Sequence, residues 1–544
     1  MRPKILRYVF VAILCALVPM VIAPVAGMPP GVTALTRDSA EVPLLALAPP
    51  PLDKRVPVLT HDPSTPAPLR IGELIDVHIT PANAGRWDVL ADGSARWRLA
   101  LTSPGAVTVS LGFTRFRLPQ GAVLTVRNAG GAEQVGPFRA ADNQAHGQLW
   151  TPLVTGELVQ LELVLPVAER DALELELTKF AYGILDPFNM PRDKSGSCNV
   201  DVVCPEGNAW RDQIQSVALI VINGTALCSG ALVNNTSQNQ RPFFLTAYHC
   251  GINLFNAASV VSYWNYQNST CRAPNSAASG QPGDGSKAQA LVGGAMLQAE
   301  NPASDMTLIE FNQAVPASYK PAWAGWDRSG AAPPSAVGIH HPLGDEKRIS
   351  FENQPTRITS YGGSNSPGAA THLRVIDWDL GTTEPGSSGS PLFDQNKRIV
   401  GQLHGGLAAC GNNDSDWYGR FSVSWVQGGL AGLLDPLNTG AVTLDTLAGL
   451  SFTSGVPLSP LTPRPYRHVF TTTRPATFAI TSGVLPGGLS LNGATGVLSG
   501  IPPAVGTYGP FVVTASSGGA SVTQTFSLVV RAASDIFYLP NMRR

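Results

Sequence analysis

A histidine after a strand and a serine in a glycine-rich turn stand well apart in this chain. His249 lies in Thr-Ala-Tyr-His-Cys at 246–250, following the apolar Phe243-Phe244-Leu245. Ser388 lies in Gly-Ser-Ser-Gly-Ser-Pro at 386–391, ahead of Leu392-Phe393. A serine hydroxyl is a poor nucleophile at neutral pH. It needs a base within about 3 Å, and that base needs an acceptor to fix its tautomer. His249 is the candidate base. Asp305, in Ser-Asp-Met-Thr-Leu-Ile at 304–309, is the candidate orienter, because it opens an apolar strand whose end can bury a carboxylate against an imidazole. Small residues around Ser388 let the N–H groups of Gly386 and Ser388 converge on one oxygen. Such an oxyanion hole contributes roughly 3–4 kcal/mol per donor to an acyl-transfer transition state.

Each motif has a plainer reading. Gly-Ser-Ser-Gly-Ser is often a flexible linker, but a linker does not need the apolar strand that follows here. Ser387 and Ser390 are rivals for the nucleophile, and Ser388 is preferred because glycine precedes it by two. Asp284 is a rival for Asp305, but it sits in the turn Pro-Gly-Asp-Gly. The order His, Asp, Ser is that of chymotrypsin-type enzymes, not of subtilisins or α/β-hydrolases.

These residues need a scaffold. The chain has 544 residues, too many for one core, with Gly 55, Pro 46 and only 14% charged residues. Short alternating runs between turn signals predict an all-β chain. With 37 basic against 38 acidic residues, the net charge of −1 gives no reason to expect a nucleic acid partner. Arg2, Lys4 and Arg7 precede an apolar run from Tyr8 to Ala26, broken by Pro19 and Pro24. This reads as a secretory signal over 1–27, against a membrane-anchor alternative, and predicts no stable membrane insertion once it is removed. Cys15 would leave with it. Six cysteines remain, at 198, 204, 228, 250, 271 and 410, and an even count in an exported chain predicts disulfides, with fifteen possible pairings. No Cys-x2-Cys pair and no His-Glu-x2-His is present, so neither a metal nor another cofactor is expected. Adjacent His340 and His341 would point to opposite faces of a strand and are read as structural.

The proline-rich stretch 28–70 reads as a linker or arm. Strands expected at 75–79, 95–101, 107–113, 123–126, 158–165 and 173–177 make a β-sandwich. Residues 195–450 hold all six cysteines, and their strand spacing suits two packed β-barrels. A linker is expected over 451–467, a sandwich over 468–534 and a tail over 535–544. The stretch from Leu485 to Pro502 resembles bacterial Ig-like or cadherin-like repeats.

Several long stretches of the central region are similar to lysyl endopeptidases, secreted lysine-specific proteases of the chymotrypsin fold. They are Ser-Gly-Ser-Cys-Asn-Val-Asp-Val-Val-Cys-Pro-Glu-Gly at 195–207 and Tyr-Trp-Asn-Tyr-Gln-Asn-Ser-Thr-Cys-Arg-Ala-Pro-Asn at 263–275. Trp-Ala-Gly-Trp-Asp-Arg at 323–328, Ile-His-His-Pro at 339–342, Glu-Lys-Arg-Ile-Ser at 346–350 and Gly-Gln-Leu-His-Gly-Gly at 401–406 match as well. The resemblance covers 195–440. It implies a catalytic triad of His249, Asp305 and Ser388, and disulfides Cys198–Cys410, Cys204–Cys271 and Cys228–Cys250. It also implies that Asp416 receives the substrate lysine, with Asp414 a near rival. His404 would stack with an aromatic residue beside the triad, where Tyr361 stands in place of the family's usual tryptophan. The resemblance further implies a precursor. A lysine-specific enzyme could release its own pro-region, 28–194, by cutting between Lys194 and Ser195.

The expectation is therefore a two-barrel chymotrypsin-like protease domain, flanked by an N-terminal β-sandwich pro-region and a C-terminal Ig-like β-sandwich. It would be a secreted monomer acting on polypeptides, with cell-surface association through its end modules as a further expectation. The alternative is a surface binding or adhesion protein with a latent protease domain, which a complete set of His, Asp and Ser argues against.

Overall fold

The computed structural model describes residues 32–35, 42–56, 66–189, 195–364, 370–450, 452–502, 504–517 and 520–532. The expected signal over 1–27, Lys194 and the tail over 535–544 lie outside them.

The chain is all-β. In the N-terminal region, alternation places one face of each strand in a core. Ser94–Thr102 buries Ala95, Trp97 and Leu99, and pairs along its whole length with Leu158–Pro166. This sheet packs on a second one built around Thr108–Arg117 and Glu174–Gly183. Strands form within the stretch expected as an arm over 28–70. Leu44–Leu47 joins the first sheet parallel to Ser94–Thr102, and Leu69–Arg70 crosses over to pair with Ala226–Leu232. Leucines compatible with a strand override the proline-rich composition once a partner edge is available.

The central region has two large sheets. In the first, Val217–Ile222, Ala226–Leu232, Phe243–Thr246 and Met306–Phe311 are consecutive neighbours. In the second, Ala336–His340, Pro391–Asp394, Ile399–Gly406, Asp416–Arg420 and His372–Val375 follow one another. Buried side chains from both sheets, among them Leu245, Met306, Ile339 and Phe393, share one apolar core with Trp326 and Trp425. Burying such large side chains contributes about 1.5–3 kcal/mol each, which holds the two sheets in a fixed relation.

The N-terminal sandwich and the first large sheet are also joined by a common core. Phe188 packs on Tyr263 and Tyr266, with ring centroids 4.8 and 4.9 Å apart. The Leu153 N–H donates to the Tyr263 hydroxyl at 2.8 Å. At the C-terminal end, seven strands form a four-stranded and a three-stranded sheet around Phe470, Phe511 and Phe526. The stretch expected as a linker supplies one of them: Leu461–Thr462 pairs with Ala520–Ala532.

Candidate active site

The strand Phe243–Thr246 ends in a short 3-10 turn, Tyr248–Cys250, that carries His249. A disulfide between Cys228 and Cys250 ties this turn to the neighbouring strand. Asp305 follows another 3-10 turn, Pro302–Ser304, and has a left-handed backbone (φ 51°), which a short polar side chain tolerates. Asp305 is buried. Its Oδ2 lies 2.8 Å from His249 Nδ1, and its Oδ1 accepts the His249 N–H at 2.9 Å. A carboxylate only accepts, so Nδ1 carries the proton and Nε2 is left as the basic nitrogen. That Nε2 is buried and has no hydrogen-bond partner among the described residues.

Ser388 comes from the opposite sheet, in the turn before Pro391–Asp394. Gly386 and Gly389 have φ of +95° and +81°. A Cβ on Gly389 would fall 2.2 Å from Thr246 Oγ1. Among the described residues, neither the Gly386 nor the Ser388 N–H donates to a backbone carbonyl. The turn is braced from the first sheet: Ser229 N–H donates to the Ser388 carbonyl at 2.8 Å, and Ser229 Oγ to the Gly386 carbonyl at 2.9 Å. Ser387 Oγ is engaged with His340 Nδ1 at 2.9 Å. Ser387 and Ser390 are fully buried, while Ser388 retains 7% exposure.

Ser388 lines a pocket together with Thr383, Glu384, Leu403, Gly406 and Asp416. Asp416 is buried, and burial pushes its carboxyl above the ordinary carboxylate range. Its Oδ2 accepts from Trp378 Nε1 at 2.8 Å and from Thr383 Oγ1 at 2.6 Å. Glu384, also in the wall, is pushed up to about 7 by burial, against the Gly196 N–H and the Asn199 amide that donate to it. Asp414 is exposed and hydrogen-bonded to Asn412, away from this wall. Asp284 is held by Ser269 in an exposed turn.

His404 and Tyr361 lie on the His249 side and not among the residues lining this pocket. His404 stacks between the rings of His249 (5.6 Å) and Tyr361 (3.8 Å). The cysteines pair as Cys198–Cys410, Cys204–Cys271 and Cys228–Cys250. His340 and His341 face different ways: His340 bonds Ser387 and Ser350, while His341 bonds the Asp345 carbonyl and stacks on Tyr266. His249, Asp305 and His404 approach closely enough to be considered as metal ligands. However, Asp305 is already committed to His249 at both oxygens, and His404 Nδ1 to His372.

Family models match two long stretches of the chain. Residues 50–182 match "Lysyl endopeptidase N-terminal domain", and 192–419 match "Lysyl endopeptidase, C-terminal domain". The chain belongs to the lysyl endopeptidase family. It is a serine endopeptidase, and residues 441–531 match a model described as "Putative Ig domain". A lysyl endopeptidase of Pseudomonas aeruginosa is 27% identical over 405 residues, 69% of this chain and 83% of the relative. Among solved structures, a Glu endopeptidase in complex with MPD is 18% identical (TM-score 0.25, 44% of this chain and 94% of that one). The active form of the Rv3671c protease from M. tuberculosis is 16% identical (TM-score 0.27, 46% and 93%).

Three residues that shape the site escaped the sequence reading: Ser229, Trp378 and Thr383. Ser229 adjoins Cys228, which was a signal of sorts. Trp378 and Thr383 reach Asp416 only through the folding of the second sheet.

Proposed function

We propose that this lysyl endopeptidase family member hydrolyses peptide bonds on the carboxyl side of lysine, through His249, Asp305 and Ser388. His249 Nε2 takes the Ser388 hydroxyl proton as Oγ attacks the scissile carbonyl. The N–H groups of Gly386 and Ser388 receive the oxyanion. His249 then passes the proton to the leaving amine, and a water activated by the same nitrogen releases the acyl group. Asp305 holds the Nδ1–H tautomer throughout. The separation of His249 Nε2 from any partner is compatible with a contact that tightens when substrate binds.

The observation that carries the specificity is the buried Asp416 in the wall of a pocket shared with Ser388. A buried carboxylate favours a cationic side chain, since either charge alone would bear its desolvation cost. Lysine is favoured over arginine by the state of Oδ2, which already accepts two hydrogen bonds. A guanidinium fork pairs best with both carboxylate oxygens, whereas an ammonium needs only one. Comparing kcat/KM on matched lysyl and arginyl amides tests this. A lysine preference of about 100-fold or more, near 2.7 kcal/mol, is expected; equal rates would overturn the lysine assignment.

The three disulfides suit an extracellular protein. Maturation by a cut after Lys194 is part of the same reading. Ser195, the residue that would become the new terminus, is buried, with its Oγ 2.5 Å from Asp345 Oδ2. Replacing Lys194 with alanine should leave the precursor unprocessed, and normal processing would count against self-cleavage.

A further inference from the structure

One buried histidine, linked to Asp305 through His404, has no role in the scheme above. His372 begins the strand His372–Val375 and pairs with Gly419 of the neighbouring strand. Its ring is 2% exposed and both nitrogens are engaged. Nδ1 lies 2.8 Å from Thr371 Oγ1, and Nε2 lies 2.9 Å from His404 Nδ1. The other nitrogen of His404, Nε2, faces Asp305 Oδ2 at 3.8 Å.

Two imidazole nitrogens 2.9 Å apart share one proton, so either His372 or His404 donates. If His404 donated from Nδ1 as a neutral ring, its Nε2 would turn a lone pair toward the Asp305 carboxylate. If His372 donates from Nε2, the chain runs in one direction. The Thr371 hydroxyl donates to His372 Nδ1, His372 Nε2–H donates to His404 Nδ1, and His404 Nε2–H points at Asp305. Only this second arrangement directs a positive end toward the negative group.

We propose that His372 is a positioning residue for catalysis: it fixes His404 as the Nε2–H tautomer and so keeps an N–H turned toward Asp305 Oδ2, the same oxygen that faces His249 Nδ1. This rests on the reading of His249, Asp305 and Ser388 as the triad. Burial lowers the ring of His372 to about 4, which keeps it neutral and able to donate. The arrangement also opposes a charge on His404. Protonating His404 Nδ1 would require His372 to move its proton to Nδ1 and the Thr371 hydroxyl to turn round. A neutral His404 matters because its ring centroid is only 5.6 Å from His249, which becomes cationic in the transition state. Tyr361 completes the setting, 5.5 Å from His372 and 3.8 Å from His404.

The test uses His372→Gln and His372→Leu in the full-length enzyme, each alone and combined with His404→Ala. Glutamine places an N–H donor where the histidine Nε2–H lies, and leucine does not. Functional sites are counted by a lysyl phosphonate that labels Ser388. Per labelled site, His372→Leu should lower kcat about tenfold, in the range of positioning losses, with KM within about twofold. His372→Gln should recover most of that loss, and on the His404→Ala background leucine should add nothing. An equal loss with and without His404, or glutamine no better than leucine, overturns the proposal. Should the leucine variant not fold, nitrogen-15 spectra of histidine-labelled wild-type enzyme decide. A bare Nδ1 and a protonated Nε2 on His404 are expected; a proton on Nδ1 overturns the assignment. Wild-type enzyme that takes up no phosphonate would remove the triad reading itself, a failure separate from that of His372.

Discussion

Asp305 grips His249 at two points, one oxygen on the ring nitrogen Nδ1 at 2.8 Å and the other on the backbone N–H at 2.9 Å. The double contact fixes both the tautomer and the position of the turn. Asp305→Asn keeps the shape but replaces an acceptor by an amide that can donate, which favours the wrong tautomer. The expected result is a fall in kcat of roughly 10⁴-fold, as for the equivalent change in a Ser-His-Asp enzyme, with little change in melting temperature. A loss below tenfold would show that Asp305 does not orient the base.

Asp416 should control the choice of substrate and not the chemistry. In Asp416→Asn the lysine ammonium would enter a buried site without a counter-charge, at a cost of about 3–5 kcal/mol. The ratio of kcat/KM for lysyl against norleucyl substrates should drop by about 10³-fold, while labelling of Ser388 by a small uncharged reagent persists. Unchanged lysine preference would move the specificity role elsewhere, with Glu384 the first candidate.

Glu384 makes a prediction about stability and pH. Its folded value is raised to about 7 from an ordinary 4.5. A raised carboxyl means that the folded state holds its proton more tightly than the unfolded chain. Its stabilising contribution is therefore complete below pH 4.5 and is lost as pH rises through about 7. Glu384→Gln, made in the inactive Ser388→Ala protein to prevent self-digestion, should flatten that decline. At pH 8 it should gain about 1–3 kcal/mol in urea unfolding. Parallel curves for the two proteins from pH 4.5 to 8 would contradict the assignment.

The three disulfides should not contribute equally. Cys228–Cys250 closes a separation of 22 residues, and Cys198–Cys410 one of 212. In the chain-entropy account the stabilisation grows as the logarithm of the loop, so the longer bridge should contribute about 2 kcal/mol more. Replacing each pair by alanine in the Ser388→Ala protein and comparing urea midpoints checks this; a larger loss for the shorter bridge would contradict it.

Much of this organisation is legible in the residues because it is local. Phe243–Thr246 forms the strand expected ahead of His249, and the continuous apolar run Val217–Ile222 is a strand as well. His249 and Ser388 announce themselves through their neighbours, Cys250 and the flanking glycines. What was not legible depends on pairing between distant segments. Trp378 and Thr383 matter because both reach Asp416. His372 matters because its strand lies beside Asp416–Arg420, which brings it to His404. Leu44–Leu47 and Leu69–Arg70 stayed hidden for the same reason. Runs of four and two residues carry no periodicity, and they become strands only because an edge in another sheet accepts them.

The central claim is lysine-directed hydrolysis by Ser388, and mapping cut sites tests it most directly. A denatured protein would be digested with the enzyme and, in parallel, with Ser388→Ala, and the new termini read by mass spectrometry. The account predicts cuts only after lysine, all of them absent with the variant. Cuts after arginine at comparable rates, or cuts that persist with Ser388→Ala, would contradict it.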